Sequence, residues 1–458
     1  MSRANAIRSS CAAALCLAFA TPAAVLTGIR AAGAQGGLPA GLGTPVITVS
    51  ANLSLTAAET RRIMSAAAPA GAVAYAARYA TFPMTAFSRG DEVLMQQPKG
   101  WRIPMGTRIL AVDYVRATGG DAMADVLSSG QVLMGENSAL IRDAKVGDVV
   151  TLRDSGNGIR RFTVGMIVAN GYADGEDLIM STADGLVMGV TKVSRVNFVG
   201  FARPGRVVSE LRARVGGIGS RYRLRTTWDP PNPDATLGIA TLKLRLGEFA
   251  FRPTDSDAIM VEDAWRASRI SWLHKYGAIT LRNNCHKLVV GAIEAAFRDI
   301  VKAGLGDRID RAVSQRYGGC YVGRYNRLGG LFGAPSRHAF GAAIDLNTTT
   351  NQQWARPTMD CRVVRIFRRW GFAWGGNFWP TDGMHFEWVG ERRDRLGYPS
   401  RYCPNTVPVP VTSAPSTTTS TSTTTTTTTT IPATSTTTST SGPGSTTTSS
   451  STSTTTSP

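Results

Sequence analysis

Histidine is scarce in this chain, and cysteine nearly so. Its 458 residues hold four histidines and six cysteines, and two of the cysteines, Cys11 and Cys16, lie close to the N-terminus. The other four, Cys285, Cys320, Cys361 and Cys403, include no C-x-x-C pair, which argues against a thiolate zinc site. Acidic residues are in deficit: 32 Asp and Glu face 50 Lys and Arg, for a net charge of +18. Nucleic acid is the usual partner of a basic chain, yet the arginines are scattered and no RNA- or DNA-binding motif is present, so none is expected here. Long apolar runs are missing too. Only the uncharged stretch Ser9–Ile29, 21 residues, approaches the length that spans a bilayer.

Composition divides what is there. Residues 1–34 carry Arg3 and Arg8, then an Ala-rich run, then Ala32-Gly33-Ala34 before Gln35, the pattern of a secretory signal peptide; a retained anchor is the alternative. Export places the protein outside the cytoplasm, secreted or in the cell envelope, where four cysteines form disulfides. Residues 45–230 alternate short apolar runs such as RILAVDYV, VGDVVTLR, RRFTVGMIVANG and EDLIMS with Gly, Asn and Asp, and read as a β-rich accessory domain with few helices. Within it, the piece VLMGENSALIRDAKVGDVVTLRDSGNGIRRFTVGMIV is similar to the extracytoplasmic β-rich domain of MacB-type ABC permeases. From Asp255 the pattern turns helical, in DAIMVEDAWRASRI and in KLVVGAIEAAFRDIVKAG, where Val289, Ile293, Phe297 and Ile300 make one face. Residues 404–458 are nearly all Thr, Ser and Pro without charge, a disordered spacer that cannot bury a core and that no terminal apolar segment follows.

The histidines concentrate the chemistry. The stretch SRHAFGAAID holds Ser336, His338, Gly341 and Asp345, and about forty residues later comes Asp382-Gly-Met-His385. Zinc accepts imidazole nitrogen and carboxylate oxygen, and a catalytic site uses three protein ligands with a fourth position for water, so His338, Asp345 and His385 are the candidate metal ligands. Seven residues of extended strand would hold His338 and Asp345 roughly 23 Å apart, so the chain must fold back between them, and Gly341 is the natural place. In MHFEW, Met384, Phe386 and Trp388 alternate with His385 and Glu387, so a strand there aims Glu387 the same way as His385 and makes it a supporting partner of the ligands. Asp382 also has turn chemistry around it, Pro380-Thr381 before and Gly383 after, so a turn aspartate is its plain alternative. The expected pairing of cysteines is Cys285 with Cys320, which flank the long helix, and Cys361 with Cys403, which ties the end of the folded region back to the RVVRIF helix.

These residues resemble the zinc D-Ala-D-Ala carboxypeptidase and L-alanyl-D-glutamate peptidase family of bacterial cell-wall enzymes. The pattern SxHxxGxAxD is met at every fixed position, and DGMH supplies the acid three residues before a histidine; the likeness extends over about residues 255–403. The resemblance implies an α+β zinc peptidase domain, a small antiparallel sheet with packed helices, that cleaves peptidoglycan stem peptides with Zn2+ as cofactor. It implies Asp382 as proton carrier and gives Ser336 a fixed place in the motif. Arg324, with Arg327 as fallback, is expected to bind the substrate carboxylate or the oxyanion, although surface charge is its default reading. His274 and His286 read as structural, and the tryptophans at 354, 370, 374, 379 and 388 as mostly core. Anionic wall polymers or a membrane surface fit the positive charge. Carboxypeptidase and endopeptidase remain open, and a wall-binding protein on an inactive peptidase fold is the reading from another class.

Overall fold

The computed structural model describes residues 43–271, 275–276, 279–280, 284–310, 319–327 and 333–405. The N-terminal segment with Cys11 and Cys16, His274 and the tail beyond Asn405 lie outside the described residues.

The N-terminal body is a ten-stranded sheet. Its strands are β1 (Ile47–Leu55), β2 (Val73–Arg89), β3 (Glu92–Gln96), β4 (Ile103–Leu110), β5 (Val132–Gly135), β6 (Val149–Arg153), β7 (Ile159–Val168), β8 (Leu178–Ser181), β9 (Val193–Val199) and β10 (Tyr222–Thr226). They run in the order β10-β1-β9-β2-β4-β8-β5-β7-β6, with β3 on β2. Most pairs are antiparallel, but β4–β8 and β5–β7 are parallel. Parallel neighbours need crossover connections, and helices supply them. The expected scarcity of helices therefore does not hold: seven described helices, from Ala57–Ala66 to Pro204–Arg214, lie between these strands. RILAVDYV is one strand only as far as Leu110, because its second half enters helix Val112–Gly119, which buries Tyr114, Val115 and Thr118.

The sheet body also holds a carboxylate of unusual acidity. Glu176 accepts from Tyr79 Oη at 3.1 Å and from the Ile239 amide at 3.3 Å, and burial, against the pull of Arg337, pushes its pKa up to about 7. The folded state thus holds this proton above the pH at which the unfolded chain releases it, so stability falls as pH rises from about 4.5 to about 7 and is flat beyond. Glu176→Gln should therefore gain about 3 kcal/mol on the wild type at pH 8 and little at pH 4.5. Equal denaturation midpoints at pH 8 would remove that role.

The second core begins before residue 255. Leu237, Ile239, Leu242, Leu246, Phe249 and Phe251 pack with Val289, Ile293, Phe297, Ile300, Val363, Phe367 and Phe386. Buried Asp234 anchors this lead-in: its carboxylate accepts from Arg368 Nε and Nη2 at 2.9 and 2.6 Å and from the Trp374 amide at 3.0 Å. Two hairpins follow, β11 (Phe251–Pro253) with β12 (Ile259–Val261), and β13 (Lys275–Tyr276) with β14 (Ile279–Thr280). Of DAIMVEDAWRASRI, only Asp263–Arg269 is helix. Helices Lys287–Lys302 and Cys361–Arg369 then cover a three-stranded antiparallel sheet in the order β15 (Ala343–Asp345), β17 (His385–Trp388), β16 (Phe372–Trp374). All four apolar positions read from the long helix are buried, and Phe367 stacks at 5.9 Å on Phe297 and 4.3 Å on Phe386. The tryptophans depart from expectation: Trp374 is buried, but Trp354 and Trp370 are 53% and 38% exposed.

Both disulfides pair as expected, Cys285–Cys320 and Cys361–Cys403, with Cα atoms 5.0 and 4.9 Å apart. Loops of this size stabilise by about 3–4 kcal/mol each when closed.

Candidate metal centre

The turn that presents His338 is built by its own motif. Ser336 caps the short helix Arg337–Phe340 by accepting the His338 amide at 3.3 Å, so its part is to shape the turn rather than to join the metal ligands. Gly341 ends the helix at φ +61° and reverses the chain as the spacing required. A Cβ there would lie 2.6 Å from the His286 amide nitrogen and 2.9 Å from Ile270 Cδ1. Gly341→Ala should thus cost at least about 1–3 kcal/mol, the range of a non-glycine residue in the left-handed region. An unchanged unfolding midpoint would show that the turn relaxes.

Asp345 ends β15 and His385 begins β17, and the two are direct cross-strand partners. His338, Asp345 and His385 each offer one donor atom, and these atoms lie within 4.8 Å of one another. Asp345 Oδ1 is 3.3 Å from His338 Nε2 and 3.1 Å from His385 Nδ1. Burial opposes ionisation of Asp345, but the two imidazoles outweigh it and hold the carboxyl far below the usual range. Burial likewise disfavours charge on His385; Asp345, Glu387 and Asp382 reverse this and raise its pKa to about 10.

Protons at His338 are constrained by its neighbours. Nδ1 faces the Cys320 carbonyl at 3.0 Å, an acceptor, so Nδ1 carries the hydrogen. Nε2 faces the Asp345 carboxylate at 3.3 Å, and this buried atom has no hydrogen-bond partner within bonding geometry. Two imidazoles and a carboxylate whose donor atoms converge within 4.8 Å are a set of the kind that zinc accepts. The residues therefore fit a metal.

The surrounding groups set the ligands. Glu387 lies 3.6 Å from His385 Nε2 and accepts from Arg337 Nε at 2.9 Å, while Arg337 Nη2 also donates to the Leu237 carbonyl at 2.5 Å. Burial opposes its charge, yet Arg337 and His385 keep the Glu387 carboxyl below its ordinary range. Asp382 behaves in the opposite way. Burial raises its pKa and Asp345 adds to this, only partly offset by His385, His338 and Arg324. One of its oxygens accepts from Gln353 Nε2 at 3.4 Å, and the other is buried without a partner.

Arg324 is half-buried, and its charged neighbours include Asp345 and Asp382; burial lowers its pKa and they oppose that. Arg327 is exposed. His286 is structural, as expected: its Nδ1 caps helix Lys287–Lys302, its Nε2 sits 2.9 Å from the Leu246 carbonyl, and burial lowers its pKa to about 4. Three supporting groups escaped the sequence reading, namely Arg337, Gln353 and the Cys320 carbonyl. Arg337 stands inside the motif at a variable position, and the other two act through partners distant in sequence, so no spacing pointed to them.

Residues 333–388 match the family model described as D-alanyl-D-alanine carboxypeptidase, the family indicated by the resemblance. No curated protein matches the chain. Among solved structures, the extracellular domain of the noncanonic ABC-type transporter YknZ from Gram-positive bacteria is similar at 12% identity and a TM-score of 0.26, over 39% of this chain and 99% of that one.

Proposed function

We propose that the protein is a zinc-dependent peptidase that hydrolyses a peptide bond of peptidoglycan stem peptides, in the manner of a D-Ala-D-Ala carboxypeptidase. The observation that carries this reading is the buried His338 nitrogen facing the Asp345 carboxylate, with Asp382, a carboxyl of raised pKa, three residues before His385. Two nitrogens and one oxygen suit zinc, which when bound lowers the pKa of its water towards about 7 and polarises a carbonyl. Asp382 would accept a proton from the attacking water and return it to the leaving amine. Its placement suits both steps, since one oxygen meets Gln353 only at a long 3.4 Å and the other has no partner. Arg324 offers a planar fork to the terminal carboxylate of the substrate or to the developing oxyanion.

A free D-alanine carboxylate at Arg324 makes the enzyme a carboxypeptidase; an internal bond makes it an L-Ala-D-Glu-type endopeptidase. The alternative of an inactive wall-binding fold is disfavoured, because all three ligands and Asp382 are in place. Two disulfides fit an extracellular protein, and no described helix is long and apolar enough to cross a membrane. The charge of +18 suits anionic wall polymers or a membrane surface as a docking ground. Metal analysis of the purified protein, followed by incubation with peptidoglycan and mass spectrometry of the products, tests the proposal. Release of single alanine supports it, larger fragments select the endopeptidase, and intact peptidoglycan with a zinc-loaded protein overturns it.

A further inference from the structure

The N-terminal body touches the loop that carries Asp382. The Asp382 amide donates to the Gly375 carbonyl at 2.8 Å, which closes residues 375–382 into a compact loop. Asn377 clamps one side of it: its side chain donates to Asp234 at 2.8 Å and to the Tyr402 carbonyl at 2.9 Å, and accepts the Tyr402 amide at 2.9 Å. The opposite clamp comes from β10, the edge strand of the large sheet. Arg223 donates Nη2 to the Asn377 carbonyl at 2.7 Å and lays its guanidinium 5.5 Å from the centre of the Trp379 ring. Arg225, two residues on along the same strand, donates to the Tyr398 hydroxyl and lies 4.8 Å over that ring.

The chemistry of this contact is costly unless it does something. Arg223 is half-buried, burial lowers its pKa, and among the described residues no carboxylate stands at ion-pair distance from it. A guanidinium in that setting relies on the carbonyl and the ring face to replace its water. Asp382, for its part, has one oxygen without a partner and the other on a long 3.4 Å contact, so the loop backbone sets its aim more than its own hydrogen bonds do.

We propose that the N-terminal body serves as an intramolecular brace for the catalytic loop, with Arg223 as the positioning residue that holds Asn377 and Trp379 and thereby aims Asp382. This rests on the assignment of Asp382 as the proton carrier. The body is then part of the catalytic unit, and its task is geometric.

The test uses the full chain with zinc, as Arg223→Met and Arg223→Lys. Against a peptide ending in D-Ala-D-Ala, Arg223→Met should lower kcat about tenfold or more at unchanged KM and zinc content, since displacements near 1 Å can cost up to about a hundredfold. Arg223→Lys, which keeps charge but loses the fork, should recover part of the loss. Hydrogen exchange should show faster amides across 375–385 in Arg223→Met, the Asp382 amide above all, with the remainder of the sheet and core protected as before. Unchanged kcat and unchanged exchange in a folded, zinc-loaded variant would overturn the brace. A wild type that hydrolyses no stem peptide would refute the peptidase reading instead, and the exchange comparison would then decide the brace alone. Should Arg223→Met fail to fold, Arg223→Lys carries the same readouts.

Discussion

Alanine at His338, Asp345 or His385 is expected to empty the metal site. The wild type should retain about one zinc per chain after dialysis, and each variant less than about a tenth of that, with hydrolysis lost in parallel. The expectation follows from the count of donors. Among the described residues three atoms within 4.8 Å make up the donor set, so removing one leaves two, too few for a catalytic zinc site. Asp345 is the most exposed to this argument, because one of its oxygens faces both imidazoles and its loss leaves two buried rings without the anion between them. Thermal unfolding offers an independent readout: added zinc should raise the melting temperature of the wild type by mass action and leave the variants where they were. Full zinc content in any two of the three variants would sink the site.

Asp382→Asn should part company with those variants. The amide is the same size and can still accept from Gln353, so zinc and fold should persist while kcat falls at least about a hundredfold, or roughly 2.7 kcal/mol of barrier. The choice between Asp382 and Glu387 as base is made by their surroundings. Glu387 is engaged by Arg337 on one side and His385 on the other, which holds its proton affinity down. Asp382 is half-buried near Asp345 with its affinity pushed up, toward the pH at which a proton carrier works. Glu387→Gln should accordingly show its effect in zinc affinity, by about 10- to 100-fold, through a loosened His385. If that variant instead keeps its zinc and loses more kcat than Asp382→Asn, the two roles are exchanged.

Where the sequence could be read, the chemistry was local. His338, Gly341 and Asp345 fall within eight residues, and their types and spacing already demanded a reversal at the glycine; β17 followed from alternation over five residues. The helix Lys287–Lys302 was legible because an unbroken 3.6-residue period runs through it. The seven short helices of the N-terminal body were not, since segments such as Val112–Gly119 are too brief to separate a helical period from an apolar strand. Nor was the lead-in from Asp234 to Phe251, whose place in the second core depends on partners such as Arg368, 134 residues away. Arg337 with Glu387 is a similar case at a separation of 50. Such pairs leave no periodic trace in one sequence.

The pairing of β15 with β17 has a last consequence. Asp345 meets His385 because Ala343, Ile344 and Asp345 oppose Glu387, Phe386 and His385 in one register. That ladder fixes the facing of Asp345 and His385, while the 39 residues from Leu346 to Met384 hold helix Cys361–Arg369, β16 and Asp382. Residues added or removed at an exposed position of this connection that bonds neither strand nor Asp382 leave the ladder untouched. A single residue inserted within His385–Trp388 slips the pairing, turns one strand's side chains to the other face and separates the ligands. Tolerance to length change is thus sharply partitioned along the chain: confined to exposed turns of the connection, and nil across a few residues of strand.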